Sequence, residues 1–146
     1  MELTEVQQTI EEKVPVAQFL GLTVEHVEPG HARLRMPFAR PVENHLGIAY
    51  AGAIFALAEI TGGVAMLSAF DTSEVTVLIR SLEIDFVRPS RRDLFCDLRL
   101  SEDHITDARA TVAAQGAADI SVPIEVTDPR GRVIARVQAD YYLRSV

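Results

Sequence analysis

Apolar and polar positions alternate along much of this chain, and in one segment the alternation stops. From Ala51 to Phe70 the sequence reads AGAIFALAEITGGVAMLSAF, and Glu59 is its only charged side chain. An apolar run of this length, with no polar stripe, predicts a helix over 51–69 that is buried all round. The helix is rich in small residues: Ala51, Gly52, Ala53, Ala56, Ala58, Gly62, Gly63 and Ala65. Glycine costs about 1 kcal/mol against alanine in a helix interior, so these positions predict close approach of another backbone or of a ligand.

On either side the pattern changes. Thr4 to Leu20 predicts a helix capped by Thr4, with Val6, Ile10, Val14 and Ala17 near one face and Pro15 as a break or kink. LTVEHVEPGHARLRMPF predicts two short strands around a turn at Pro29-Gly30. ARPVENHLGIAY, with its Pro, Asn and Gly, predicts a loop. After the long helix, VTVLIRSLEIDFVRP predicts a strand ended by Pro89, with Leu82, Ile84 and Phe86 on one face and Ser81, Glu83 and Asp85 on the other. RRDLFCDLRLSED, ITDARATVAAQGA, ADISVPIEVTD and RVIARVQADYYLRS read as further strands, with a break near Gly116 and a turn at Asp128–Gly131. Strands that follow one another with short connections are expected to pair antiparallel. The fold class is therefore α+β, an antiparallel sheet wrapped around one long central helix. With 146 residues and no linker or repeat, residues 1–146 form a single domain.

Composition narrows the function classes. The net charge of −7 argues against nucleic acid as a partner, because phosphate backbones demand a basic face. A single cysteine, Cys96, excludes an intramolecular disulfide and a cysteine metal site. That fits a reducing, cytoplasmic setting, and Cys96 reads as inert core. The acidic, amphipathic start is unlike a secretory signal. A membrane span over the long helix is not expected, since Glu59 would sit near the bilayer centre at roughly 2.5–3.5 kcal/mol. His26, His31 and His104 show no ligand spacing, so no metal and no cofactor are expected. Phe19, Phe55, Met66 and Phe70 read as packing residues, some of them as lining for an acyl tunnel.

The order of motifs resembles the hotdog-fold acyl-CoA thioesterases, in particular the phenylacetate-pathway type. That family's signature is an Asn, then Gly-x-x-His-Gly-Gly, then an apolar helix carrying an Asp or Glu. Here Asn44, Gly47, Tyr50, Ala51 and Gly52 precede AIFALAE, which ends at Glu59. SLEIDFVRP, FLGLTVEHVEPGHARLRMP and DPRGRVIARVQADYYL are similar to the family's next strand, opening and closing hairpin, so the likeness covers most of the chain. Two departures stand out. Tyr50 replaces the family's His and Ala51 one of its paired Gly residues, as in a branch with an Ala-Gly-Ala helix start. Ile79, beside Arg80 and Ser81, occupies a position where many relatives carry Ser or Thr.

The resemblance implies a hotdog fold and hydrolysis of acyl-CoA thioesters. Glu59 would be general base or nucleophile, Asn44 would position water, and the Gly52 N–H would hold the carbonyl oxygen. Tyr50, Ala51, His45, Arg80, Ser81 and Arg88 would bind substrate. Arg88, Arg91 and Arg92 form a short basic patch, read either as a solvated face or as an anchor for coenzyme A phosphates. Seven residues of helix separate Gly52 from Glu59, about 10 Å, too far for one carbonyl to meet both. The resemblance therefore implies a homodimer, or a tetramer built from dimers, in which Glu59 of one subunit faces Gly52 of the other. Two alternatives stay open: a non-catalytic acyl-CoA or lipid-binding module, and a hotdog dehydratase, which normally uses a His that Tyr50 replaces.

Overall fold

In the computed structural model, which describes residues 2–146, helix α1 (Leu3–Lys13) is followed at once by the short α2 (Pro15–Phe19). Pro15 breaks the expected single helix: it has no N–H to donate and starts the second helix at its first position. The expected Thr4 cap is corrected, because Glu2 is the N-cap and no side chain caps that end. Strands β1 (Thr23–Glu28) and β2 (His31–Met36) form an antiparallel hairpin around Pro29-Gly30. Helix α3 (Ala51–Ala69) follows, then β3 (Val75–Phe86), β4 (Leu94–Arg99), helix α4 (Glu102–Gln115), β5 (Ala117–Thr127) and β6 (Val133–Ser145). The strands make one antiparallel sheet in the order β1-β2-β4-β5-β6-β3.

Helix α4 corrects the reading of residues 105–117 as a strand. The Ser101 side chain accepts the His104 N–H, acidic Glu102 and Asp103 occupy the first turn, and Gly116 closes the end in a left-handed conformation. Ile105, Ala108 and Val112 turn to the protein at helical spacing.

The sheet curls around α3, which buries Ile54, Leu57, Ala58, Ala65 and Met66 against Leu34, Met36, Leu94, Cys96, Ile124 and Val126. Burial pushes the Cys96 thiol up to about 12, as expected of an inert core cysteine. Met66 and Phe70 are buried as expected, whereas Phe19 and Phe55 are exposed, which corrects their reading as packing residues. By length and apolarity α3 could cross a membrane, but here the sheet wraps it on most sides.

Two features prepare the site. First, the α3 surface bearing Gly52, Phe55, Ala56, Glu59, Gly63 and Leu67 is left without full cover by the chain's own sheet. Second, the two sheet edges differ. Strand β1 is short and carries Glu25, His26 and Glu28, whereas β3 is twelve residues long and pairs only with β6. Ile79 is 39% and Phe86 50% exposed along that unpaired edge. A long apolar edge strand is a template for pairing with another chain.

Candidate active site at the start of helix α3

The chain enters α3 through a loop that Asn44 holds together. Its Oδ1 accepts N–H bonds from Leu46 (2.9 Å) and Ile48 (3.2 Å), and its own N–H donates to the Ile48 carbonyl. This is the local turn chemistry for which Asn is suited. The Asn44 acceptor oxygen is thus committed to the loop, leaving its side-chain amide N–H groups for other partners. Gly47 takes a positive φ of 70° in the same loop.

Two backbone bonds then fix the helix start: Ala49 N–H donates to Ser90 (2.8 Å) and Tyr50 N–H to Val42 (2.7 Å). Tyr50 is the N-cap, and no side chain caps the end; the first turn carries no acidic residue. The N–H groups of Ala51, Gly52 and Ala53 precede the first intrahelical bond, from Ile54 to Tyr50, so they are available to an anionic group. The Tyr50 ring folds over Gly52: a Cβ placed there would lie 2.5–2.8 Å from the ring and its hydroxyl. A side chain at position 52 would therefore force the exposed Tyr50 ring to swing away. Tyr50 itself is exposed, as is His45 at the loop tip.

Beside the helix start lies a hollow of about 280 Å³ lined by Asn44, Ile48, Ala51, Ile54, Phe86 and Arg88, among others. A second hollow of about 200 Å³ shares Ile48 and Pro89 with it and adds Ser90, Arg91, Arg92 and Arg132. Arg91 Nε donates to the Gly47 carbonyl (3.1 Å), which ties the basic segment to the Asn44 loop. Arg132 is held by Asp128 (2.7 Å).

Glu59 lies two turns into α3 on its open face. Half-buried, it makes no hydrogen bond or ion pair with any described residue, and desolvation raises its carboxyl above the ordinary glutamate range. An unpaired, partly desolvated carboxylate on an apolar face is poorly suited to structure and well suited to accepting a proton. On the inner side of the same stretch of helix is a residue that the sequence did not flag, Tyr141. Its hydroxyl reaches from β6 to Gly62, is buried, and has no hydrogen-bond partner among the described residues. Burial, and then the charge of Glu59, push its phenol up.

Arg80 and Ser81 are not brought to this site. A bulge in β3 between Ile79 and Ser81 turns both outward. Arg80 stacks on Tyr142 and reaches Asp119 (3.4 Å), while the Ser81 hydroxyl donates to Asp140 (2.9 Å). Both lie on the sheet face opposite α3, satisfied by protein partners.

Residues 4–143 match the family model described as "Domain of unknown function (DUF4442)". The chain belongs to the DUF4442 family. Among relatives of this DUF4442 chain, the "Putative esterase VNG_1336C" of Halobacterium salinarum is 31% identical over 119 residues, covering 77% of this chain and 79% of that protein. The structure of protein PA5026 from Pseudomonas aeruginosa, described as a probable thioesterase, superposes with a TM-score of 0.94 at 36% identity, covering 100% of this chain and 97% of the other. The thioesterase HI1161 from Haemophilus influenzae gives a TM-score of 0.76 at 14% identity over 99% of this chain and 92% of its own, a likeness of fold. The DUF4442 chain thus has the hotdog fold, as its sequence resemblance implied.

Proposed function

We propose that this protein hydrolyses acyl-CoA thioesters at a site shared by two subunits. The observation that carries the reading is Glu59: a lone, half-buried carboxylate with a raised pKa on the one open face of an otherwise enclosed helix. Glu59 acts as general base on water, or attacks the thioester carbonyl itself. In either case the developing oxyanion needs donors, and the free N–H groups of Ala51, Gly52 and Ala53 suit it. Asn44, through its amide N–H groups, orients water or substrate at the loop. No cofactor enters this scheme. The names of VNG_1336C, PA5026 and HI1161 support a hydrolase reading of the fold.

Coenzyme A rather than a bare acyl ester is favoured by charge. The chain as a whole is acidic, yet Arg88, Arg91, Arg92 and Arg132 gather beside the helix N-terminus, where phosphates of a thioester carrier would lie. An acidic carrier protein would meet the same net negative charge as a repulsion. Arg92→Glu is expected to raise KM several-fold with little change in kcat, and added salt is expected to shrink the difference. A kcat loss with constant KM would remove Arg92 from substrate binding.

Helix length supports the shared site. The about 10 Å between Gly52 and Glu59 along α3 is too far for one carbonyl to meet both, and the hotdog resemblance implies a second helix beside the first, running the other way. Pairing of β3 edges across a twofold axis would supply it and cover Ile79 and Phe86. The protein is then expected to sediment at twice its 16.1 kDa chain mass, and Ile79→Lys to shift it toward the monomer with turnover falling in parallel. A fully active monomer would overturn the shared site.

The direct test is release of free thiol from a panel of aryl and short- to long-chain acyl-CoA thioesters, with oxygen esters alongside. Turnover confined to oxygen esters would replace the thioesterase reading. A second reading, a non-catalytic acyl-CoA-binding module, draws on the Tyr50 ring over Gly52 and the commitment of the Asn44 oxygen to its own loop. Binding of acyl-CoA without turnover would favour it.

A further inference from the structure

Far from α3's first turn, at the β1–β2 hairpin, strand register assembles a cluster of nitrogen and oxygen ligands. His26 and Glu28 are two apart on β1 and share the outward face, and His31, the first residue of β2, pairs directly with Glu28. The sequence shows no ligand spacing here, because the hairpin, not the sequence interval, brings the third residue in. His26 Nε2 lies 3.6 Å and His31 Nδ1 3.3 Å from Glu28 Oε1, and all three atoms fall within 4.8 Å of one another. Two donors bound tetrahedrally to one ion at 2.0–2.2 Å stand about 3.3–3.6 Å apart, so two of the three separations already fit.

The surroundings of the two rings fit as well. His31 Nε2 lies 2.7 Å from Asp97 Oδ1, and its Nδ1 receives a hydrogen bond from Arg99 Nη2 at 2.9 Å. Carboxylates thus stand at both ring nitrogens of His31, Asp97 at Nε2 and Glu28 at Nδ1, with the Arg99 guanidinium also beside Nδ1. A carboxylate behind a histidine is also the usual outer support of a metal ligand. His26 Nε2 is sealed from solvent with no hydrogen-bond partner among the described residues. His26 Nε2, Glu28 Oε1 and His31 Nδ1 therefore converge, and the exposed Arg99 guanidinium lies 3.1 Å from Glu28 Oε1 and 2.9 Å from His31 Nδ1.

We infer that His26 Nε2, Glu28 Oε1 and His31 Nδ1 form a binding site for a first-row divalent ion such as Zn²⁺, with Arg99 as the cation it displaces. Two imidazoles and a carboxylate suit zinc or its neighbours, and leave a fourth position for water. The bound ion would clasp β1 to β2 at the end of the sheet beside Ser68, whose hydroxyl donates to the Glu28 carbonyl.

The test uses the full chain, free of any affinity tag and stripped with chelator, titrated with Zn²⁺ and separately with Co²⁺. One ion per chain is expected, with tetrahedral visible absorption for Co²⁺. Asp97→Asn is expected to weaken binding by about 10–100-fold through loss of the outer support, and His26→Ala by at least as much. Arg99→Gln is expected to tighten it, a gain that a damaged fold would not produce. His104→Ala is expected to change nothing. No ion retained, or retention that survives both His26→Ala and His31→Ala, overturns the site. Because these residues lie away from Glu59, either result leaves the thioesterase reading where it stands.

Discussion

Glu59→Gln is expected to lower thioester turnover by about 10²–10⁴-fold, the contribution typical of a positioned general base. The same substitution is expected to leave the fold intact and make it more stable near neutral pH. Both effects have one cause. Glu59 is half-buried on the same helix face as Phe55, Ala56 and Gly63, with no partner among the described residues to compensate its charge, and desolvation raises its carboxyl. A raised folded-state value means that the unfolded chain ionises this group more readily than the native one. Stability is therefore lost as pH climbs from the ordinary glutamate value through the raised folded value, and stays lost above it. Glutamine removes that loss, so the unfolding midpoint of the variant is expected to exceed the parent's at pH 7 and to meet it in acid. Activity runs the other way. The base must be ionised, so kcat/KM of the parent is expected to fall on the acid side with a midpoint above 4.5. Turnover and denaturation measured together across pH check both expectations. A more stable, inactive variant is the signature of a residue kept for chemistry at the expense of the fold. A variant that loses stability as well as activity would make Glu59 a structural group and sink the proposed mechanism.

How much of this is legible in the sequence depends on how locally each feature is encoded. Helix α3 is readable to both ends, because an all-apolar run bounded by a Pro/Asn/Gly loop has few other solutions. Glu59 is readable for the same reason: a charge stands out only against an apolar background. Helix α4 reads as a strand because Ile105, Thr106, Thr111 and Val112 favour strands, yet its caps at Ser101 and Gly116 are in the sequence and decide the outcome. The β3 bulge is not readable, since register is set by pairing with β6, and it carries Arg80 and Ser81 away from the helix. Register likewise hides the cluster of His26, Glu28 and His31. Tyr141 is hidden as one aromatic among the alternating residues of β6; only packing shows that its hydroxyl stops at Gly62.

That contact sets the largest expected stability effect. Gly62→Ala is expected to destabilise the protein by about 1–3 kcal/mol, as overpacking does in a closed core, even though alanine alone would gain about 1 kcal/mol in a helix. The added Cβ would fall on the Tyr141 hydroxyl, and Tyr141 is only 2% exposed on a strand paired on both sides. Neither strand nor ring has room to yield. Tyr141→Phe removes the oxygen, which has no partner among the described residues, so it is expected to cost little alone and to recover much of the loss in the double variant. Denaturant melts of the four proteins give the coupling directly; additive effects would mean that the two residues do not meet. At Gly63, one residue on, an added Cβ would meet nothing within 4 Å, so Gly63→Ala is expected to stabilise the isolated chain by about 1 kcal/mol. Glycine is kept there nonetheless, on the same open face as Glu59. If Gly63→Ala weakens self-association while Gly62→Ala weakens only the fold, the two neighbours have separate reasons: one makes room for the chain's own tyrosine, the other for the helix of a second copy.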